Sequence, residues 1–375
     1  MADDVLSPRA LNRATLARQF LLERVSMPTI DVIEHLVGLQ AQEPSNPYVA
    51  LWSRLIDFDP DELGQLLLDR KVVRTWVMRG TIHLVTAADA LTLRPLTQPV
   101  LDGQLSRHPN AAPHLPGVDA EPVLAFARDL FAEAPRTGTE LRAALAAQFP
   151  GVEPAALAEL VRHKLALVQV PPRGLWRRSG IVRTTTVEAW LGKKLKARPS
   201  ISDVVYRYIA AFGPATVADV AAWSRLTGLR EVVERLRPSL RTFRDERGRE
   251  VFDVPDAPRP DPETPAPVRF LPEYDNVLLS HADRTRVIPE AMRAVDFTPG
   301  GRVLGTVLSD GFLFGVWADA FDRKTGRATL TIRHGANLTK KARAALTTEG
   351  QQLLRFIHAD AAAAEVVFTP ATPSV

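Results

Sequence analysis

Val72-Val73-Arg74-Thr75-Trp76-Val77-Met78, then Arg79-Gly80, then Thr81-Ile82-His83-Leu84-Val85, is the stretch that decides the fold. β-Branched and aromatic residues crowd both halves, and a glycine-containing turn parts them, which predicts a β-hairpin. Before it the period is helical. Leu11, Ala14, Leu16, Ala17, Phe20 and Leu21 form an apolar stripe over Leu11 to Glu23, with Arg13, Arg18 and Arg24 outside it. Residues 1–10 read as a loose end. Thr29–Val37 places Ile30, Ile33 and Val37 at i, i+3 and i+7, with Ser26 or Thr29 as candidate cap. Pro47–Leu55 starts a third helix, and Asp59-Pro60-Asp61-Glu62-Leu63 opens a fourth with acids in its first turn. Several helices followed by a hairpin is the order of a winged helix.

The order recurs further along. Glu121 to Glu133, Glu140 to Gln148 (capped at Thr137 or Thr139) and Glu153 to Lys164 read as helices. The strand Leu165–Val170 follows and turns through Pro171-Pro172-Arg173-Gly174 into Leu175-Trp176-Arg177-Arg178, which reads as a second hairpin. A third copy runs from the helix Ile201 to Phe212, through Val217–Trp223 capped by Thr216 and Glu231–Leu236, to a hairpin around Glu246-Arg247-Gly248-Arg249. The stretch from Pro255 to Pro267 is a stiff, proline-rich linker. Beyond it Arg302–Leu308, Phe312–Trp317 and Ala328–Ile332 read as antiparallel strands, a helix from Lys340 to Ala359 is capped by Thr339, and Val366–Thr369 is a further strand. The expected class is α+β: three tandem winged-helix domains (1–115, 116–198, 199–256), then a linker and β-rich part (257–375). The repeat is one of topology, not of residues.

With 375 residues and 46% hydrophobic content the chain is long enough for several cores. No run of about 18 apolar residues is present, and Met1-Ala2-Asp3-Asp4 lacks the basic start of a signal peptide, so a bacterial cytoplasmic protein is expected, with no membrane partner. The absence of cysteine excludes disulfides, thiolate-ligated zinc and cysteine nucleophiles. Asp275, His281 and Asp283 have metal-ligand chemistry, but nothing completes a set, so neither metal nor cofactor is expected. There is no heptad run, so a monomer is expected.

The net charge of +4 is mild, but its distribution is uneven. Arg173, Arg177, Arg178 and Arg183 lead into Lys193, Lys194, Lys196 and Arg198, interrupted only by Glu188. Such a strip suits phosphates, or is a solvated surface. The candidate base-reading helices are thin. The first offers Ser53 and Arg54, and the second Arg162, His163 and Lys164. That favours contact with DNA backbone and shape over base code. Arg323 and Lys324, at a hairpin tip, either probe a groove or are solvated. His83, on a strand face, suits a structural role.

Gly38-Leu39-Gln40-Ala41-Gln42-Glu43-Pro44 sits where the second helix runs out. In an extended segment Gln40 and Gln42 point the same way. Amides stay neutral but offer donors and acceptors, so the pair could orient a water and set carbonyl dipoles near developing positive charge. The plainer alternative is that the two cap, solvate or bond backbone.

Together, Leu11-Asn12-Arg13-Ala14, Gly38-Leu39-Gln40-Ala41-Gln42 and Arg74 to Val85 resemble the AlkZ-type, YcaQ-related winged-helix DNA glycosylases. The resemblance is specific in the first domain and architectural in the rest. It implies a fold curled around a DNA channel and a catalytic Gln-x-Gln motif at Gln40 and Gln42. The Gln-x-Asp variant of the motif is absent. The resemblance also implies a monofunctional glycosylase that excises N7-alkylated purines, including bulky adducts or interstrand crosslinks, from double-stranded DNA. In that family the Gln-x-Gln form accompanies self-resistance to DNA-alkylating natural products. Expected DNA contacts are Arg79, Arg177, Arg178, Lys193, Lys194, Lys196, Arg284, Arg286, Arg323 and Lys324. The alternative is a non-catalytic winged-helix regulator or damage sensor.

Overall fold

The hairpin forms as expected and seeds a larger sheet. In the computed structural model, which describes residues 5–292, 304–335 and 337–371, Val72–Trp76 pairs antiparallel with Ile82–Thr86. Every residue of both strands is buried. Leu39–Gln40 adds to one side. On the other, Leu167–Gln169, Arg183–Thr186 and Arg136–Thr137 complete six strands. One sheet thus spans the boundary expected near residue 115.

The helices obey their caps. Thr137 and Thr216 each form a reciprocal capping box, with Glu140 and Asp219, ahead of Gly138–Gln148 and Val217–Ser224. Thr339 caps Lys340–Ile357. Neither Ser26 nor Thr29 caps Thr29–His35, which follows Pro28. The Thr29 hydroxyl instead donates to Glu62 at 2.6 Å, tying this helix to Pro60–Leu68. Among the helices that went unforeseen are Ala87–Leu96 and Gln98–Leu105. Their signal was the Thr86 cap three residues before Asp89.

Of the loose end expected over residues 1–10, residues 1–4 lie outside the described residues, and Val5–Leu6 pairs parallel with Arg244–Asp245. The proline-rich linker is pinned too. From the first helix, Pro8–Arg18, Arg9 donates to the carbonyl of Pro262 at 2.8 Å and Arg18 to that of Pro258 at 3.2 Å. The C-terminal part is a five-stranded sheet of Arg269–Leu271, Gly305–Ser309, Phe312–Asp322, Arg327–His334 and Ala363–Pro370. Its last pair is parallel because the helix Lys340–Ile357 crosses over between the strands. Of the strand expected over 302–308, Arg302 and Val303 lie outside the described residues.

Candidate active site

The site begins where the second helix ends. Val37 and Gly38 both take left-handed backbone, φ 54° and 95°, and Gly38 N–H closes back on Ile33 O at 2.9 Å. A Cβ on Gly38 would lie 2.6 Å from Val85 Cγ1, so only glycine lets the chain turn onto the hairpin here. Leu39 and Gln40 then pair with Leu84 and His83. Buried Arg74 donates to Ala41 O at 2.8 Å, and Asn276 donates to Gly38 O at 2.7 Å. The segment is therefore clamped from below by the hairpin and from above by the C-terminal part.

Gln40 forms part of the wall of a cleft of about 1080 Å³, with Arg79, Arg107, Arg225, Tyr274 and Arg284 around it. Among the described residues no carboxylate lines this cleft. Three of its residues, Arg79, Arg225 and Tyr274, hold left-handed backbone (φ 59°, 63° and 61°), a conformation that costs a non-glycine residue about 1–3 kcal/mol and gathers at functional sites. Gly80, next to Arg79, is left-handed as well, φ 67°.

Arg79 organises this wall. Its Nη2 donates to Gln40 Oε1 at 2.7 Å and lies 3.2 Å from His83 Nε2, while Nη1 donates to Trp223 O at 3.0 Å. Burial, together with the positive charges of Arg225 and Arg284, brings its pKa down to about 10. Burial and Arg79 push His83 down to about 3, so its ring is neutral and its Nδ1–H donates to Thr81 O at 3.0 Å. His83 is thus a structural acceptor, not an acid.

The two glutamines are not equivalent. Gln40 is 7% exposed and its carbonyl is occupied. Gln42 sits exposed on the bend that follows the strand, outside the wall of the cleft, and makes no side-chain hydrogen bond to another described residue. The expected parallel pair of carbonyl dipoles is therefore not what the fold presents, because extended backbone stops at Gln40.

The sequence profile of the AlkZ-like DNA glycosylases matches residues 33–356. The chain belongs to that family. An interstrand DNA cross-link repair glycosylase of Streptomyces sahachiroi is 26% identical over 332 residues, which cover 80% of this chain and 85% of that one. The solved structure of Streptomyces sahachiroi DNA glycosylase AlkZ superposes with a TM-score of 0.76 at 21% identity, covering 97% of this chain and 100% of that one; at this identity the likeness carries the fold. The mixed α+β architecture is thus that of an AlkZ-like glycosylase, and among the described residues no helix is long and apolar enough to cross a membrane.

Within this AlkZ-like frame the expected DNA contacts separate. Arg79 and Arg284 face the cleft. Arg177, Arg178 and Arg323 surround a second cavity of about 590 Å³ beside Tyr48 and Trp176. Arg177 also donates to Ile357 O at 2.7 Å. Lys193, Lys194, Lys196 and Lys324 are exposed but line neither cavity. Arg286 is a correction. It is 5% exposed, donates to Pro214 O at 2.9 Å and lies 3.6 Å from Asp219, so no phosphate reaches it without opening the core.

The thin reading helices prove thinner still. Arg54 is fully buried and paired with Asp275 through two 2.9 Å contacts, and Ser53 is buried. Arg162 pairs with Glu159, Lys164 lies 2.9 Å from Asp102, and His163 is buried. Asp275, His281 and Asp283 are each claimed elsewhere: Asp275 by Arg54, His281 by the Phe212 carbonyl at 3.0 Å, and Asp283 by Arg249 at 2.8 Å. Sequence reasoning missed Arg107 and Arg225. The first follows an unforeseen helix, and the second caps Val217–Ser224 in left-handed backbone.

Proposed function

We propose that this AlkZ-like protein is a monofunctional DNA glycosylase that excises N7-alkylated purines from double-stranded DNA, including bulky adducts and interstrand crosslinks. The observation that carries this is the cleft, which sets Gln40 among four arginines, Arg79, Arg107, Arg225 and Arg284, with no acid among the described residues of its wall. Such a surface suits a polyanion and repels nothing on it. The cross-link repair activity for which the Streptomyces sahachiroi relative is named supports extending the substrate to bulky lesions. Three tandem winged-helix modules curled around a DNA channel are the architecture this reading assumes, and a monomer suffices for it. Repair of self-inflicted alkylation is its natural setting.

The chemistry asks little of an acid. An N7-alkylated guanine is cationic, so when the C1′–N9 bond breaks its electron pair returns to the purine, which leaves neutral. A water oxygen then bonds C1′, and its proton passes to solvent. Gln42, exposed on the bend beside the cleft, holds that water through its free carbonyl once duplex DNA covers the bend, and Gln40 steadies the nucleotide. A preorganised polar contact of this kind is worth about 3–4 kcal/mol. Among the described residues no lysine lines the cleft, which supports a reading without a Schiff base, in which strands stay uncut at the abasic site.

Single-turnover release of 7-methylguanine from a duplex, with abasic sites revealed by alkali, tests the proposal. Q42A should slow release by about 100-fold or more while changing DNA affinity little. Parallel assays on a methyl lesion, a bulky adduct and a crosslink rank the substrates. Tight binding to one sequence without release of any base would establish the regulator instead.

A further inference from the structure

The Gln40 amide can face the cleft in only one way. A guanidinium has donors and no acceptor, so the Gln40 atom 2.7 Å from Arg79 Nη2 must be the oxygen. The guanidinium itself is fixed. His83 donates to Thr81 O through Nδ1, which leaves Nε2 to accept from Arg79 at 3.2 Å. Trp223 O holds Nη1 at 3.0 Å, and Gln104 donates to the Arg79 carbonyl at 3.0 Å. Every partner of the guanidinium is neutral, so its charge is not cancelled by a neighbouring acid.

We propose that Arg79 is a positioning residue: it takes up the Gln40 carbonyl and turns the Gln40 NH₂ into the cleft, as a hydrogen-bond donor to a phosphodiester oxygen of the lesion nucleotide. This rests on the glycosylase reading above. A donor aimed at the sugar ring would oppose the positive charge that develops there. A phosphate oxygen is the acceptor that suits both the amide and the charges of Arg225 and Arg284 beside it, which have no carboxylate partner among the described residues. The work of an acceptor, holding the attacking water, then falls to Gln42, whose carbonyl is free. The two glutamines divide donor from acceptor.

The test is a double-mutant cycle on single-turnover release of 7-methylguanine, with duplex affinity measured by anisotropy on the same preparations. Q40M should slow release by about 100-fold and R79M by about 10-fold. The double variant should be no slower than Q40M, because Arg79 acts through Gln40. Q40E keeps an oxygen for Arg79 but loses the NH₂, and should be as slow as Q40M. R79K, which keeps a donor, should recover part of the R79M loss. Multiplicative losses in the double variant, or Q40E at the wild-type rate, overturn the inference and leave the glycosylase reading standing. Should R79M not fold, Q40E alone decides the donor role. A wild-type protein that releases no base overturns both.

Discussion

Two regions of this molecule use arginine in opposite ways. In the seams between its parts, guanidinium groups meet carboxylates. Arg18 contacts Asp253 at 2.6 and 2.8 Å, and Arg54 contacts Asp275 twice at 2.9 Å, all of them buried. Around the cleft, Arg107, Arg225 and Arg284 have no carboxylate partner among the described residues, and Arg79 has only neutral ones. A paired buried arginine holds the fold, because removing either partner strands a charge in low dielectric. An unpaired arginine on a concave wall repels its neighbours until an anion arrives; at Arg79 burial first, and then the charges of Arg225 and Arg284, lower the pKa to about 10. The residue type is the same in both regions; the presence of an acid separates scaffold from binding surface.

The largest effect should come from breaking a seam. D275A leaves Arg54 charged and unpaired in the core, and should cost about 3–5 kcal/mol in urea unfolding. A loss under 1 kcal/mol would erase the distinction between the regions. Next comes the pair Arg284 and Arg286, two positions apart. R286M should lower stability by about 1–3 kcal/mol and leave the salt dependence of DNA binding unchanged in the folded fraction. R284M should do the reverse: stability within about 0.5 kcal/mol of wild type, and a slope of log K against log salt shallower by about 1.

A smaller effect concerns acid. His83 is held neutral to a folded pKa of about 3, below its ordinary 6.5. Between those values the unfolded chain binds a proton that the folded chain refuses, so stability falls as pH drops from about 6.5 toward 3. H83Q removes that titration, and its stability should depend less steeply on pH over the window in urea titrations at pH 7 and pH 5. The smallest effect is expected at Lys193, exposed and outside both cavities; K193A should change stability by less than about 0.5 kcal/mol and DNA affinity only slightly.

Local signals in the sequence were dependable. The hairpin around Arg79-Gly80, the caps at Thr137, Thr216 and Thr339, and the C-terminal strands all rest on chemistry confined to a few adjacent residues. So does the turn at Gly38 that presents the Gln-x-Gln segment. Where local signals were thin or partners distant, expectations failed. The cap expected at Thr29 is absent because its hydroxyl is drawn to Glu62, 33 residues on. Arg54 read as a surface residue because Asp275, which buries it, lies 221 residues away. Val5–Leu6, read as part of a loose end, is a strand because Arg244 and Asp245 wait beside it.

The sequence by itself determined the order of helices and hairpins, the β-rich end and the place where two amides stand two residues apart. Tertiary structure alone decided that one amide is held and the other free, and that Arg284 opens on the cleft while Arg286 is sealed in the core. Periodicity and capping act between near neighbours and are written in the chain. The fate of a charge depends on whether an opposite charge meets it in space, and that is settled only when distant segments pack.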